Sequence, residues 1–323
     1  MKLADYFKIN LKFVDNKLQI GDYLLGFDEN LQSEVLTEVV KLAKEKNIST
    51  IETGYVFPQE FNDKYGIKFC YKEELIGFGG WEEIITYKQH PEQDFKNFIC
   101  SFNGAGHVSR QLLVSALNKF GYFNKDYCSK NFEHPGSRVD GLVGDNIENT
   151  AFYNKFFDLT DEFNQQTYRF GQVVKGWDLI SDHANNVYAL ENKLAESFLH
   201  IVSETMATSY YPWVTEKFLY SIVTRGLFLS YAQPGWHAHI EKVYGFKLYT
   251  KLFDYRFDSI TNPVKRLVEL MTMVSKFSKL TPAEWHDLYR LEVDTIEYNY
   301  NHYYSKEYLK YIKDYEESFG NKV

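Results

Sequence analysis

The chain of 323 residues reads as an α/β protein built on parallel strands, and three observations predict it. Residues 97–102 form a short apolar strand that runs into the glycine turn Asn103-Gly104-Ala105-Gly106. A helix follows from Ser109, with Leu112, Leu113, Ala116, Leu117 and Phe120 on one face. The same rhythm returns with a strand at 198–202, a loop at 203–212, a helix at 214–225, a strand at 227–231 and the turn Gln233-Pro234-Gly235. Strands that alternate with helices lie parallel, because each crossover helix returns the chain to the end it started from.

The first 95 residues read as a smaller α/β unit. Strand-like pieces stand at 50–52 and 83–87, and Val35, Val39 and Leu42 mark a helix over 31–44. The polar, proline-bearing stretch 88–94 is the expected domain boundary. Beyond residue 260 the start signals are explicit. Asn262-Pro263 places an N-cap before a first-turn proline, and Thr281-Pro282-Ala283-Glu284 is a capping box. The remainder, to about Ser318, reads as helical, with Tyr304, Tyr308, Tyr311 and Tyr315 expected on one face that packs onto another domain.

Composition narrows the function classes. A formal net charge of -8 argues against a chain that grips nucleic acid or anionic membrane over its whole surface. The aromatic share is 18%, so core and cleft walls must be largely aromatic. Cys70, Cys100 and Cys128 are odd in number and form no C-x-x-C, which fits a reducing compartment rather than a disulfide framework. The opening residues lack the apolar core of a signal peptide and no run reaches about 18 apolar residues, so the expected setting is cytoplasmic with no membrane span.

Two constellations carry candidate chemistry. At Gly104-Ala105-Gly106 the backbone can approach an anion, and the first helical turn adds free N–H groups and the Arg110 guanidinium. The alternative is a plain turn that closes a strand onto a helix. The second constellation is Ser203-Glu204-Thr205 with Thr215-Glu216-Lys217, placed after a strand and at the start of a helix, where open α/β sheets bind ligands. There a carboxylate suits a ribose diol and an ammonium suits a diphosphate. The bland alternative is Thr215 as an N-cap with Glu216 in the first turn.

Residues 198–229, FLHIVSETMATSYYPWVTEKFLYSIVTRGLFL, resemble the donor-binding motif of GT-B glycosyltransferases of the α1,3-fucosyltransferase type. Thr215, Glu216 and Lys217 match that family's Thr-Glu-Lys, Glu204 matches its earlier glutamate, and Asn103 with Arg110 resembles its arginine-bearing loop. Ser203 and Thr205 stand where the family has Phe and Asn. The resemblance spans about residues 97–277. It implies a GT-B-like chain of two Rossmann-like domains with a donor cleft between them and C-terminal helices crossing back.

The division expected on that basis is an acceptor-side domain at 1–95, a nucleotide-sugar-binding domain at 96–278, and C-terminal helices at 279–323. Arg110 and Lys217 would hold the diphosphate, Glu216 the ribose, and Glu204 the sugar or ribose. Asn103, Gly104, Ser203, Thr205 and Thr215 would complete the donor site. The resemblance covers no part of the first 95 residues, so Glu52 and Glu82 stand only as candidate bases, chosen as carboxylates of the first domain. The acceptor is open between a glycan, a protein and a modified nucleic-acid base.

No Asp-x-Asp occurs, so metal-independent transfer without a cofactor is expected, with helix termini and cations stabilising the leaving diphosphate. His237-Ala238-His239 has metal-ligand spacing for a strand but reads more simply as the start of a short helix. Asp254, Asp258 and Arg266 read as a surface salt bridge or turn cap. Two rivals remain. One is a nicotinamide-dependent oxidoreductase using Gly104-Ala105-Gly106, with Glu133 on the ribose. The other is a sugar- or nucleic-acid-binding module without turnover.

Overall fold

The computed structural model describes residues 11–20, 29–54, 57, 59–72, 81–103, 108–122, 126–128, 183–204, 207, 212 and 214–320. They form two four-stranded sheets. In the first, β1 (Leu11–Val14) and β2 (Lys17–Ile20) make an antiparallel hairpin. Its turn residues Asp15 and Asn16 both have positive φ, 46° and 61°, which matches the right-handed twist of the strands it joins.

Helix α1 (Glu29–Glu45) then crosses to β3 (Thr50–Thr53), and α2 (Gln59–Tyr65) to β4 (Lys68–Tyr71), with β2, β3 and β4 parallel. Leu18, Ile20, Leu36, Val39, Ile51 and Phe69 form the core of this half.

The stretch 83–87, expected as a strand, is instead the short helix α3 (Trp81–Ile84) and a turn. Trp81, Ile84 and Tyr87 are all buried, and their three-residue spacing is a helical face. The Trp81 ring packs against Phe218 at 5.4 Å and Tyr308 at 5.3 Å, so tertiary burial overrides the β-propensity of Ile-Ile-Thr-Tyr. Tyr71, Trp81, Tyr87 and Phe95 thus belong to the larger apolar core, that of the second sheet. Residues 88–94 have no regular structure.

The second sheet has the strand order β6-β5-β7-β8, all parallel, from β5 (Asn97–Ser101), β6 (Tyr127–Cys128), β7 (Ser197–Ser203) and β8 (Leu227–Tyr231). Helix α4 (Val108–Lys119) follows β5, α5 (His183–Ala195) enters β7, and α6 (Lys217–Val223) links β7 to β8. Every residue of β7 and of the edge strand β8 is buried, as expected for strands of a parallel sheet covered on both faces. From β5 the chain goes to β6 on one side and later to β7 on the other. The strand order therefore reverses between β5 and β7, and the crevice beyond their carboxyl ends is where such sheets bind ligands.

Beyond β8, Gly235 adopts φ 77° to start α7 (Trp236–Tyr244). A 3-10 turn (Tyr255–Ser259) and α8 (Pro263–Ser275), α9 (Pro282–Leu291), α10 (Val293–Tyr304) and α11 (Tyr308–Gly320) complete the chain. The Asn262 cap and the reciprocal Thr281–Glu284 capping box both form.

The tyrosine face is divided by a break at 305–307, where Lys306 has φ 60°, so Tyr304 ends α10 while Tyr308, Tyr311 and Tyr315 lie on α11. Tyr308 and Tyr315 are buried and Tyr311 is exposed. Tyr315 meets Tyr71 of β4 at 5.5 Å, and Lys72 pairs with Glu316 at 3.6 Å, which joins the last helix to the first sheet. Among the described residues no helix is long and apolar enough to cross a membrane.

The core of the second sheet contains one polar contact with a sharp steric consequence. His200 on β7 is 2% exposed, with Nδ1 2.8 Å from Ser221 Oγ and Nε2 2.8 Å from the Leu194 carbonyl, so Nε2 donates and Nδ1 accepts. A Cβ on Gly226 would lie 2.1 Å from the His200 ring. Gly226→Ala is therefore expected to cost about 3 kcal/mol or more, read by denaturant unfolding, because a ring bonded at both nitrogens cannot swing aside.

Burial pushes His200 down to about 4, against which its bond to Leu194 acts only partly. The unfolded imidazole, near 6.5, binds its proton first as pH falls, so stability is intact above about pH 6.5 and declines toward pH 4. On the order of 3 kcal/mol should be lost across that window. In His200→Gln the slope should shrink, and an unchanged slope would contradict the assignment.

Candidate functional site

The carboxyl end of the second sheet carries a dense set of buried polar side chains: Asn103, Ser109, Arg110, Ser203, Glu204 and Gln233. Asn103 follows β5, and its Nδ2 donates to Ser101 Oγ at 3.1 Å. Ser109, in the first turn of α4, donates through Oγ to the Glu204 carbonyl at 2.9 Å and so ties the start of α4 to the end of β7. Arg110 is 6% exposed in the same turn. Ser203 is buried and donates to the Glu204 carbonyl at 3.3 Å. Gly104, Thr205 and Glu133 lie outside the described residues.

Glu204 is the centre of this end of the sheet. Its side chain is fully buried, with Oε1 accepting from the Thr215 N–H at 3.2 Å and Oε2 from the Thr215 hydroxyl at 2.6 Å. The Thr215 oxygen accepts in turn from Lys217 Nζ at 2.9 Å, and Lys217 lies 3.4 Å from Glu216. Thr215 is thus a relay between a buried carboxylate and a half-buried ammonium rather than a simple helix cap, and Glu216 occupies the cap position of α6 without a side-chain cap bond.

The two carboxylates are driven in opposite directions. Burial raises Glu204 above the usual carboxylate range. Burial also acts upward on Glu216, but Lys217 and His183 outweigh it and hold Glu216 below that range. Neighbouring carboxyl groups whose surroundings push them apart in this way are an arrangement that active sites use.

Four further side chains join the cluster. His183, at the start of α5, has Nδ1 2.9 Å from the Tyr220 hydroxyl and 3.8 Å from Glu216 Oε1. Asn186 Nδ2 donates to the Tyr220 oxygen at 3.3 Å, and Glu83 of α3 accepts from the His183 N–H at 3.1 Å. The sequence gives no spacing that joins His183 to Glu216. The local trace is that His183 and Asn186 are three apart and share a helix face.

No known relative was found. No family model matches the chain, and no curated protein or solved structure matches it. The site therefore rests on its own geometry.

The remaining candidates lie elsewhere. Glu52 sits within the first sheet, 4% exposed, where it accepts from Lys17 Nζ at 2.7 Å and Gln19 Nε2 at 2.9 Å. Burial acts upward on it, and Lys17 and Gln19 hold it below the usual range. Glu82 is an exposed carboxylate 3.8 Å from Lys306. Among the described residues neither is bonded to the Glu204–Lys217 cluster.

His237 and His239 do not converge. His237 Nδ1 donates to Asp258 at 2.7 Å while its Nε2 accepts from the Ser230 N–H at 3.1 Å, and His239 packs toward Tyr71 and Tyr244. Among the described residues no three His, Cys, Asp or Glu side chains gather as a metal would need.

The expectation of a surface role for Asp258 and Arg266 is corrected, because both are buried. Asp258 caps α7 through the N–H groups of His237 and Ala238. Arg266 donates to the carbonyls of Ala207, Ala232, Ile260 and Thr261, which neutralises loop carbonyls that would otherwise be stranded. Asp254 has the expected surface form, an exposed turn cap bonded to Arg256, and Asp258 keeps the cap role in a buried setting.

Removing the relay should be costly. Thr215→Val takes away the hydroxyl between Glu204 and Lys217 while keeping shape, and should destabilise the chain by about 1 to 3 kcal/mol, whereas Thr215→Ser should restore most of it. Chemical denaturation of both variants measures the difference.

Proposed function

We propose that the chain is a nucleotide-sugar-dependent glycosyltransferase of the GT-B kind, with the donor bound across the carboxyl ends of β5 and β7. The observation that carries this reading is the Thr215-Glu216-Lys217 turn folded onto Glu204 beside the reversal of strand order. In this reading Lys217, about one quarter exposed, meets the diphosphate, and Arg110 adds positive charge at the start of α4. Glu216, held anionic, accepts from hydroxyls of the donor. Glu204 positions Thr215 and through it Lys217, a supporting part rather than the direct sugar contact that the resemblance implies, since both its oxygens are already bonded to Thr215.

Transfer breaks the bond between the anomeric carbon and the diphosphate, and cations placed where that charge develops lower the barrier. The nucleotide-sugar is a substrate, no resident cofactor is invoked, and the acceptor is a hydroxyl of a glycan, a protein or a modified nucleic-acid base. The absence of paired cysteines among Cys70, Cys100 and Cys128 goes with a cytoplasmic setting.

The test is calorimetric titration with UDP, GDP and their nucleosides. Glu216→Gln should weaken nucleotide binding roughly ten- to a hundredfold through loss of charge-assisted bonds. Lys217→Ala should weaken the diphosphates far more than uridine or guanosine. Folded variants that bind all of these as the parent does would remove the site from consideration. A thermal shift with NAD(P) and none with UDP- or GDP-sugars would favour an oxidoreductase instead.

A further inference from the structure

Among the described residues neither Glu52 nor Glu82 is bonded to the cluster, so another group must accept the proton of the incoming hydroxyl. We propose that His183 is the general base that deprotonates the acceptor hydroxyl, with Glu216, Tyr220 and Asn186 fixing its ring, an inference that rests on the glycosyltransferase reading above.

Position comes first. The end of α5 leads directly into β7, so its start, His183, lies at the carboxyl end of the sheet, on the rim of the proposed donor site. Glu83 of α3 holds the His183 N–H at 3.1 Å, and α3 belongs to the segment that arrives from the first sheet. His183 therefore stands between the Thr215-Glu216-Lys217 turn and the chain coming from the other half, where an acceptor meets a donor. Its side chain is 24% exposed, enough to touch solvent and substrate.

Ring chemistry supports the role. Nδ1 faces the Glu216 carboxylate at 3.8 Å and the Tyr220 oxygen at 2.9 Å, and that negative charge favours the tautomer with its proton on Nδ1. The Tyr220 oxygen then accepts from both His183 and Asn186. Nε2 makes no hydrogen bond among the described residues and keeps its lone pair. Among the described residues, Glu216 and Tyr220 of the β7–α6 side face the ring, Lys217 lies behind Glu216, and Glu83 of α3 holds the main-chain N–H.

The step balances without a further reagent. Nε2 takes the acceptor proton, the acceptor oxygen forms its bond to the anomeric carbon, and the anomeric carbon–oxygen bond to the diphosphate breaks. The electron pair leaves with the nucleoside diphosphate, whose charge Lys217 meets. With water as acceptor the same step is donor hydrolysis.

The experiment measures hydrolysis of UDP-glucose and GDP-fucose by the full chain, together with calorimetric binding of UDP and GDP and a melting curve for every variant. For His183→Asn and His183→Gln, folded as judged by melting, the expected result is a loss of at least a hundredfold in kcat with nucleotide affinity within threefold of the parent. Tyr220→Phe should lower kcat less.

Unchanged kcat in both His183 variants, or a loss of affinity that accounts for the whole effect, overturns the assignment while leaving the donor site standing. A parent chain that neither binds UDP or GDP nor hydrolyses either sugar nucleotide overturns both.

Discussion

A carboxylate sealed from water at the end of a parallel strand is the constraint on which the site depends. Glu204 has no access to solvent, and an unpaired buried carboxyl would cost several kcal/mol. Its bonds to Thr215 therefore fix where the loop from β7 must return, and that return sets the first residues of α6, Glu216 and Lys217 among them. The Glu204 backbone is held as firmly, its N–H by the Tyr231 carbonyl of β8 and its carbonyl by Ser109 of α4. One residue thereby brings together the ends of β7 and β8 and the starts of two helices.

Aromatic packing joins this end of the molecule to the rest. Trp81 is surrounded by Phe218, Tyr244, Tyr303 and Tyr308, so the short α3 segment is seated against α6, α7 and the two last helices at once. Its main-chain carbonyl accepts from the Tyr303 hydroxyl. The polar connection between the sheets is pinned in a similar manner, with Arg225 stacked 3.7 Å over Tyr300 and bonded to both His90 and Glu297. These rings place Glu83 beside His183, and they link the aromatic richness of the composition to the placement of the site.

Much of the second sheet was legible because its information is local. The apolar run before Asn103, the strands at 198–202 and 227–231, the Asn262 cap and the Thr281 capping box each rest on a few neighbouring residues, and each forms. Glu204 and the Thr215-Glu216-Lys217 turn were found by the same local reading, although their mutual bonds were not.

What escaped the sequence depends on contacts between distant residues. The stretch at 83–87 looks like a strand until Trp81 finds its aromatic partners, and the β1–β2 turn has Asp15-Asn16 without the glycine that usually signals it. The helix expected over 214–225 is limited to Lys217–Val223 because Thr215 is drawn back to Glu204. His183 joins Tyr220 and Glu216 from 37 and 33 positions away, and His237 finds Asp258 across 21 residues. No periodicity encodes such pairs.

The central claim is that a nucleoside diphosphate occupies the carboxyl end of the second sheet. Backbone hydrogen exchange of the intact chain, read residue by residue with and without saturating UDP or GDP, tests it most directly. The account predicts slowed exchange at Ser109 and Arg110, at Glu204 and from Thr215 to Tyr220, with the strands of the first sheet unaffected. Protection confined to β2, β3 and β4, or bound nucleotide with no change around Glu204 and Thr215, would contradict it.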